Sequence, residues 1–435
     1  NPFQKGCAQQ VGPGCATISV YANGRNGTRV SQTANQAQLG RHDERNIVGV
    51  RWEHSFDADT AWRTQVTFDD RAINQPTGST SAVGPYPSLS IMSSLSHRGE
   101  IAGLAATSTV AISYANEALS AHTYNIGPGG ALGALVQTVY GNQLGGGIRA
   151  ATEVTLAPQW RALLALGWEL DQINATQTGY AYPLSGPLSG PLSAAGLATY
   201  TGANRSFSNV APSAALIWTP RPDLELHGRV ATGYGTPQYS NLFTTPQGVF
   251  GNNTDLKAQS NLGLDLGAAY RVGDTLRLEV TGFYEFFHNE LVTQAAGASL
   301  QSYTFNAPGS VHRGVELGGT WQPLPARLPG ASLRLAYIYD DQIYTDYVER
   351  LSNATASTAF DRGGRKIPGV PPSELFLRAA YRQPDGPLAG LGAQIDTIVR
   401  GPSWLDNANL VQTPGYAVVN IAFHYDPGLR AGPFP

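Results

Sequence analysis

The chain is predicted to be all-β, folded as a transmembrane antiparallel β-barrel. Three observations point there. Stretches of about eleven residues alternate apolar and polar side chains, a period of two that belongs to strands. The connections between them are short and long by turns. Aromatic residues gather at the ends of the apolar faces, as they do where strands meet two membrane interfaces.

The alternation is clearest in the middle. In 224–234, Leu224, Leu226, Val230 and Tyr234 share one face, and Glu225, His227 and Arg229 the other. In 262–270, Leu262, Leu264, Leu266 and Tyr270 oppose Gly263, Asp265 and Gly267. In 276–286, Leu276, Leu278, Val280, Tyr284 and Phe286 oppose Arg277, Glu279, Thr281 and Glu285. Earlier strands are expected near 16–23, 46–55, 61–70, 105–115, 119–126, 146–157, 160–170 and 206–218. Later ones are expected near 304–321, 332–342, 373–382, 391–400 and 414–425. That makes about sixteen strands.

Tight turns are read at 56–60, 157–159, 219–223, 272–274, 322–331 and 383–390. Long polar loops are read at 73–97, 172–205, 235–257, 287–303, 343–372 and 401–413. A membrane barrel sorts its connections this way, short on the periplasmic side and long outside. Trp52, Trp62, Trp160, Trp218, Tyr270, Trp321 and Tyr381 sit beside the short turns. Trp168, Tyr234, Tyr284 and Tyr339 lie nearer the long loops.

Bulk properties agree. Only 14% of the 435 residues are charged, and three are Lys: Lys5, Lys257 and Lys366. A net charge of −3 leaves no nucleic-acid footprint. A mean hydropathy of −0.19 is what a scan returns when lipid-facing and lumen-facing side chains alternate. Cys7 and Cys15, within GCAQQVGPGC, are expected to form a local disulfide in an extracellular loop, in an oxidising compartment. No signal peptide opens the chain at Asn1 and its last residues are turn-like, so both ends of the barrel are expected to lie outside this sequence.

Several short motifs carry a resemblance. Val311-His312-Arg313-Gly314-Val315-Glu316-Leu317, with Asn306 upstream, resembles the Gly-Val/Ile-Glu strand of TonB-dependent outer-membrane receptors. Ile367-Pro368-Gly369-Val370-Pro371 is similar to that family's entry into a late descending strand, and Pro414-Gly415-Tyr416 with Val419-Asn420 to the next entry. Pro237 through Leu242, and the passage 283–294, match in order. The resemblance covers about 40–425 and is nearest the ferric-siderophore and ferric-citrate branch. It implies a barrel of about 22 strands when complete, residues 1–435 being barrel domain only, in the cell outer membrane and surrounded by its lipid. It also implies coupling to TonB through a plug region not in this sequence.

No catalytic motif is present: no Gly-x-Ser-x-Gly, no His-Glu-x-x-His, no P-loop and no Cys-x-x-Cys. No resident cofactor or metal is expected. Glu225, Arg229, Asp265, Arg277, Glu279 and Glu316 read as lumen-wall charges, and His97, His122 and His288 as loop-proximal. Specificity is expected from the long loops. Arg205, Tyr239, Arg362, Arg365 and Trp404 are the candidate ligand-binding residues, because guanidinium forks and aromatic rings suit an anionic ferric chelate. Alternatives are a receptor for cobalamin, copper, haem or a sugar, a passive porin-like channel, and a soluble all-β carbohydrate-binding or hydrolytic protein.

Overall fold

A computed structural model describes residues 18–21, 29–32, 38–77, 80–126, 128–181, 197–245, 252–296, 301–352 and 357–426. Cys7 and Cys15 lie outside them, and with them the expected disulfide. The strands in chain order are β1 (Ile18–Tyr21), β2 (Arg29–Gln32), β3 (His42–Ser55), β4 (Thr60–Thr77), β5 (Thr80–Pro85), β6 (Ser88–Ile101), β7 (Leu104–Ile126) and β8 (Leu132–Ala157). Next come β9 (Trp160–Ala181), β10 (Leu197–Arg221), β11 (Leu224–Gly235), β12 (Gln259–Val272), β13 (Leu276–Ala296), β14 (Gln301–Trp321) and β15 (Ala331–Asp346). The last are β16 (Val348–Ser352), β17 (Ser357–Asp361), β18 (Ser373–Arg382), β19 (Leu391–Arg400), β20 (Ser403–Trp404), β21 (Gln412–Thr413) and β22 (Tyr416–Tyr425).

Sixteen of these form one antiparallel sheet whose order follows the chain from β3 to β22. The pairs β1–β2, β16–β17 and β20–β21 are separate small hairpins. No α-helix occurs among the described residues, and none is long and apolar enough to cross a membrane. Tight and long connections alternate at β8–β12, while β4 to β7 are joined by short connections only and the β13–β14 connection is shorter than the β14–β15 turn.

The apolar faces line up across the ladders. Leu226, Ala268, Val280 and Leu317 form one row, and Val230, Leu264 and Tyr284 another. This face is uncovered: Leu266 is 74% exposed and Leu264 44%. A soluble sandwich would bury these side chains against a second sheet. A broad apolar surface left open needs lipid or a partner to cover it.

The opposite face is polar and cross-linked. Arg161 reaches Glu153 on β8 at 3.0 Å and Glu225 on β11 at 3.1 Å. Arg229 meets Asp265 at 2.6 Å, Arg378 meets Asp396 at 2.7 Å, and Arg63 meets Glu53 at 2.7 Å. The wall charges read from sequence thus mostly satisfy one another.

Several expected boundaries are corrected. The stretch 16–23 is no barrel strand: its four described residues pair only with β2. Segment 73–97 is no loop but the end of β4, then β5 and β6. Leu89, Ile91 and Leu95 alternate there with Ser90, Met92 and Ser94. The serines hid this period, since a wall facing water on one side needs no apolar residues on that side. The strand count of sixteen is therefore kept by compensation. Residues 105–126 form the single strand β7, because nothing in Ala115–Ala118 breaks an extended chain. Loops 172–205 and 287–303 shrink to their tips, as β9, β10, β13 and β14 run on past the apolar band.

Candidate ligand-binding vestibule

The long-loop end carries almost all of the buried side chains. Residues 236–245 and 252–258, between β11 and β12, lie against the polar face of β9 and β10. Leu242, Phe243 and Leu256 bury themselves there with Ile173, Ala175, Ala203 and Phe207. Polar clamps fix them in place. Thr236 donates to Asp171 at 2.5 Å, Gln177 donates to the Phe243 carbonyl at 3.4 Å, and Arg205 donates to the Leu256 carbonyl at 2.9 Å. On the far side, Asn241 donates to Thr304 Oγ1 at 2.8 Å and Asn253 to the Thr304 carbonyl at 2.8 Å. The segment is a strap running from β9 and β10 to β14.

Asn306 explains its place in the motif. Its Oδ1 accepts from the Lys257 backbone at 2.8 Å, and its Nδ2 donates to the Lys257 and Asn289 carbonyls at 2.9 and 2.8 Å. One side chain ties the strap's end to a left-handed residue, Asn289 (φ 52°), in β13. The Pro237–Leu242 motif is equally structural: Pro237 and Leu242 are both fully buried. Gly314 is required because a Cβ would meet the Tyr339 carbonyl and the Phe283 ring, the first at 1.8 Å.

Residues 347–352, 357–370 and 403–413 make a second clamp. Glu349, buried, accepts from Arg362 at 2.8 Å and from Asn407 at 2.8 Å, and Asn407 accepts from the Tyr344 hydroxyl at 2.9 Å. Tyr344, Tyr347, Ile367 and Ala307 form the apolar part. Phe305 of β14 stacks on Tyr347 at 4.7 Å. β14 therefore joins the strap to the second clamp.

The five candidates divide between these clamps. Arg205 and Tyr239 belong to the strap. The Arg205 guanidinium lies 5.2 Å from the Phe207 ring centre. Tyr239 is half-buried, and burial first, with Tyr86 and Glu117 nearby, pushes its hydroxyl up to about 12. It remains a proton donor throughout the physiological range. Arg362, Arg365 and Trp404 belong to the second clamp. Arg362 is held by Glu349, Arg365 is exposed, and Trp404 accepts from the Gly369 N–H through its carbonyl at 2.8 Å.

A third group was missed. Arg41 donates to both Asp43 oxygens at 2.8 Å, and Arg71 donates to the same carboxylate at 2.6 Å. Two guanidiniums share one carboxylate. Tyr86, whose N–H bonds the Arg71 carbonyl, stands beside them. The sequence signal is Arg41, Asp43 and Arg45 at every second position, ahead of the strand expected from residue 46. Among the described residues, no group of three or more His, Cys, Asp or Glu side chains could hold a metal ion. His97 bonds Thr60 at 2.9 Å and His122 bonds Tyr140 at 3.1 Å.

Comparison with known proteins agrees with this geometry. The family model described as TonB dependent receptor-like, beta-barrel matches residues 10–432. Among solved structures, the ferric yersiniabactin uptake receptor FyuA from Yersinia pestis is similar at a TM-score of 0.63 and 13% identity, over 94% of this chain and 58% of that one. The unliganded ferric citrate transporter FecA gives 0.65 and 16%, over 90% and 55%. The ferric-catecholate import receptor Fiu from K12 E. coli gives 0.65 and 16%, over 89% and 58%. The chain spans little more than half the length of these proteins.

Proposed function

The chain belongs to the TonB-dependent receptor-like β-barrel family, and from that premise we propose that it is the barrel of an energy-coupled outer-membrane receptor for an anionic ferric chelate. The family is one of receptors, not enzymes. The apolar face meets outer-membrane lipid and the polar face lines the lumen. TonB acts through a plug region outside this sequence.

The observation that carries the ligand class is the surplus of cation and phenol at the mouth. Arg41 and Arg71 share a single carboxylate, and Tyr86 stands near enough to Tyr239 to help raise its hydroxyl. Guanidinium forks bind carboxylate or catecholate oxygens through charge-assisted bonds. Tyrosines kept protonated donate to such oxygens and offer stacking area. Exposed Arg365 and half-buried Trp404 supply the same chemistry on the other side. Arg205 and Arg362, committed to Leu256 and Glu349, act chiefly by holding the loops that present the rest. Siderophore and citrate receptors among the similar structures support the same ligand class.

Uptake of radiolabelled iron by iron-limited cells carrying the full-length receptor tests this. Arg41→Gln with Arg365→Ala should cut uptake at least tenfold at normal surface level, since each lost charge-assisted contact is worth about 1.5–3 kcal/mol. Unchanged uptake would reject the site.

A further inference from the structure

An ion-paired group interrupts the apolar face high on β14 and β15. Arg313, Val315 and Leu317 alternate onto that face, and Asp341 pairs directly with Arg313 across the ladder. Asp341 accepts from Arg313 Nε at 3.2 Å and Nη2 at 3.1 Å. Lys366, bridged to Ile343 beside β15, pairs with the other Asp341 oxygen. The carboxylate is 8% exposed, while Arg313 and Lys366 are 47% and 43% exposed. Two cations thus stand open to the exterior over one buried anion.

Their height is set by aromatics. Tyr284 is the direct partner of Arg313 on β13. Tyr339 lies one pair lower on the same face, opposite Val315. The next row down on that face reads Leu226, Ala268, Val280, Leu317 and Tyr337. An arginine placed there for lumen electrostatics would face the other way. On a lipid-facing wall, the interfacial aromatics mark the headgroup level, and cations beside them meet headgroup anions.

We propose that Arg313 and Lys366, held apart by Asp341 and flanked by Tyr284, form a binding site on the outer wall for the phosphate of a phosphorylated outer-leaflet lipid. This rests on the membrane facing proposed above but not on which chelate is imported. Asp341 sets the spacing of the two cations and prevents either from folding down onto the apolar wall. Arg313 offers a fork to the phosphate and Lys366 a point charge.

Native mass spectrometry of the full-length receptor in detergent, given a phosphorylated glycolipid or the same lipid with its phosphates removed, tests the proposal. The phosphorylated lipid should be retained at least tenfold better. Lys366→Gln should cost about fivefold of that preference, the effect of one basic residue near an anionic lipid surface. Arg313→Gln combined with Asp341→Asn removes a cation without stranding the carboxylate, and should cost a similar factor. Heat-modifiable migration of each variant shows that the barrel is formed. Equal retention of both lipids, or an undiminished preference in both folded variants, would overturn the proposal. So would displacement by inorganic phosphate at matched phosphate concentration, which marks a free-anion site. A protein soluble without detergent would instead overturn the membrane reading beneath it.

Discussion

The two halves of the wall are stabilised by different means. In the band between Trp218 and Tyr284, neighbouring strands are joined by continuous backbone ladders, with apolar rows on one face and ion pairs on the other. In the long-loop half, the ladders carry on, but the defining contacts are single side chains reaching across sequence: Asn306 to Lys257, Asn407 to Glu349, Thr236 to Asp171. The lower half is a repeat, so a period identifies it. The upper half is a set of particular clamps between residues tens of positions apart, and no period announces them.

The largest effect expected from this contrast is at Leu264. Arginine there places a charge on the lipid face, at a cost of about 2–4 kcal/mol near the bilayer midplane. Leu264→Arg should abolish most heat-modifiable barrel. Gly263→Arg, one residue away, points to the polar face, where the Glu285 carboxylate lies 3.4 Å from the position a Cβ would take. It should assemble. Equal behaviour of the two would mean the faces are misassigned.

Gly314→Ala should also impair assembly, because its Cβ meets backbone and not a movable side chain. Yield of folded barrel in outer-membrane fractions measures this.

A change confined to the upper half should leave the barrel standing. Leu242→Ala empties a fully buried site, which costs about 2–5 kcal/mol. Hydrogen exchange should quicken in 236–258 and in the facing parts of β9 and β10, with the lower band unchanged. Uniform loss of protection would show that strap and wall unfold together.

Legibility followed the same division. Leu224, Leu264 and Val315 gave their facing directly through alternation, and the tight turns gave the strand order. Strand ends above the apolar band are not legible, because in Gln172–Ala181 Ile173 and Tyr180 are the only large apolar or aromatic residues and they fall on opposite faces. Of the candidate site, residue types were readable but commitments were not. Arg362 reads as an available cation in sequence and proves to be held by Glu349, thirteen positions earlier and brought close by a hairpin. Arg41 and Arg71 could not be associated without the β3–β4 pairing. The family motifs at Pro237, Asn306 and Ile367 identify how loops are anchored, not where ligand sits.

A smaller effect concerns pH. Burial pulls the Asp406 carboxyl upward, but the backbone N–H groups of Val411, Leu410 and Ala408 outweigh it and hold the group below its usual range. A depressed folded value adds stability above the ordinary carboxylate range, lost as pH falls through the folded value. Exchange in 405–413 should therefore quicken on acidification below about pH 4. Asp406→Asn should remove that dependence, and a persistent dependence would place its origin elsewhere.

The central claim is an anionic ferric chelate bound between the strap and the Arg41–Arg71 pair. Equilibrium binding to the purified full-length receptor, comparing ferric citrate and ferric catecholates with cobalamin, tests it most directly. The account predicts saturable binding of an anionic ferric chelate that weakens with added salt and falls at least tenfold in Arg41→Gln/Tyr239→Phe. Preferential binding of cobalamin, or chelate binding indifferent to both salt and those substitutions, would contradict it.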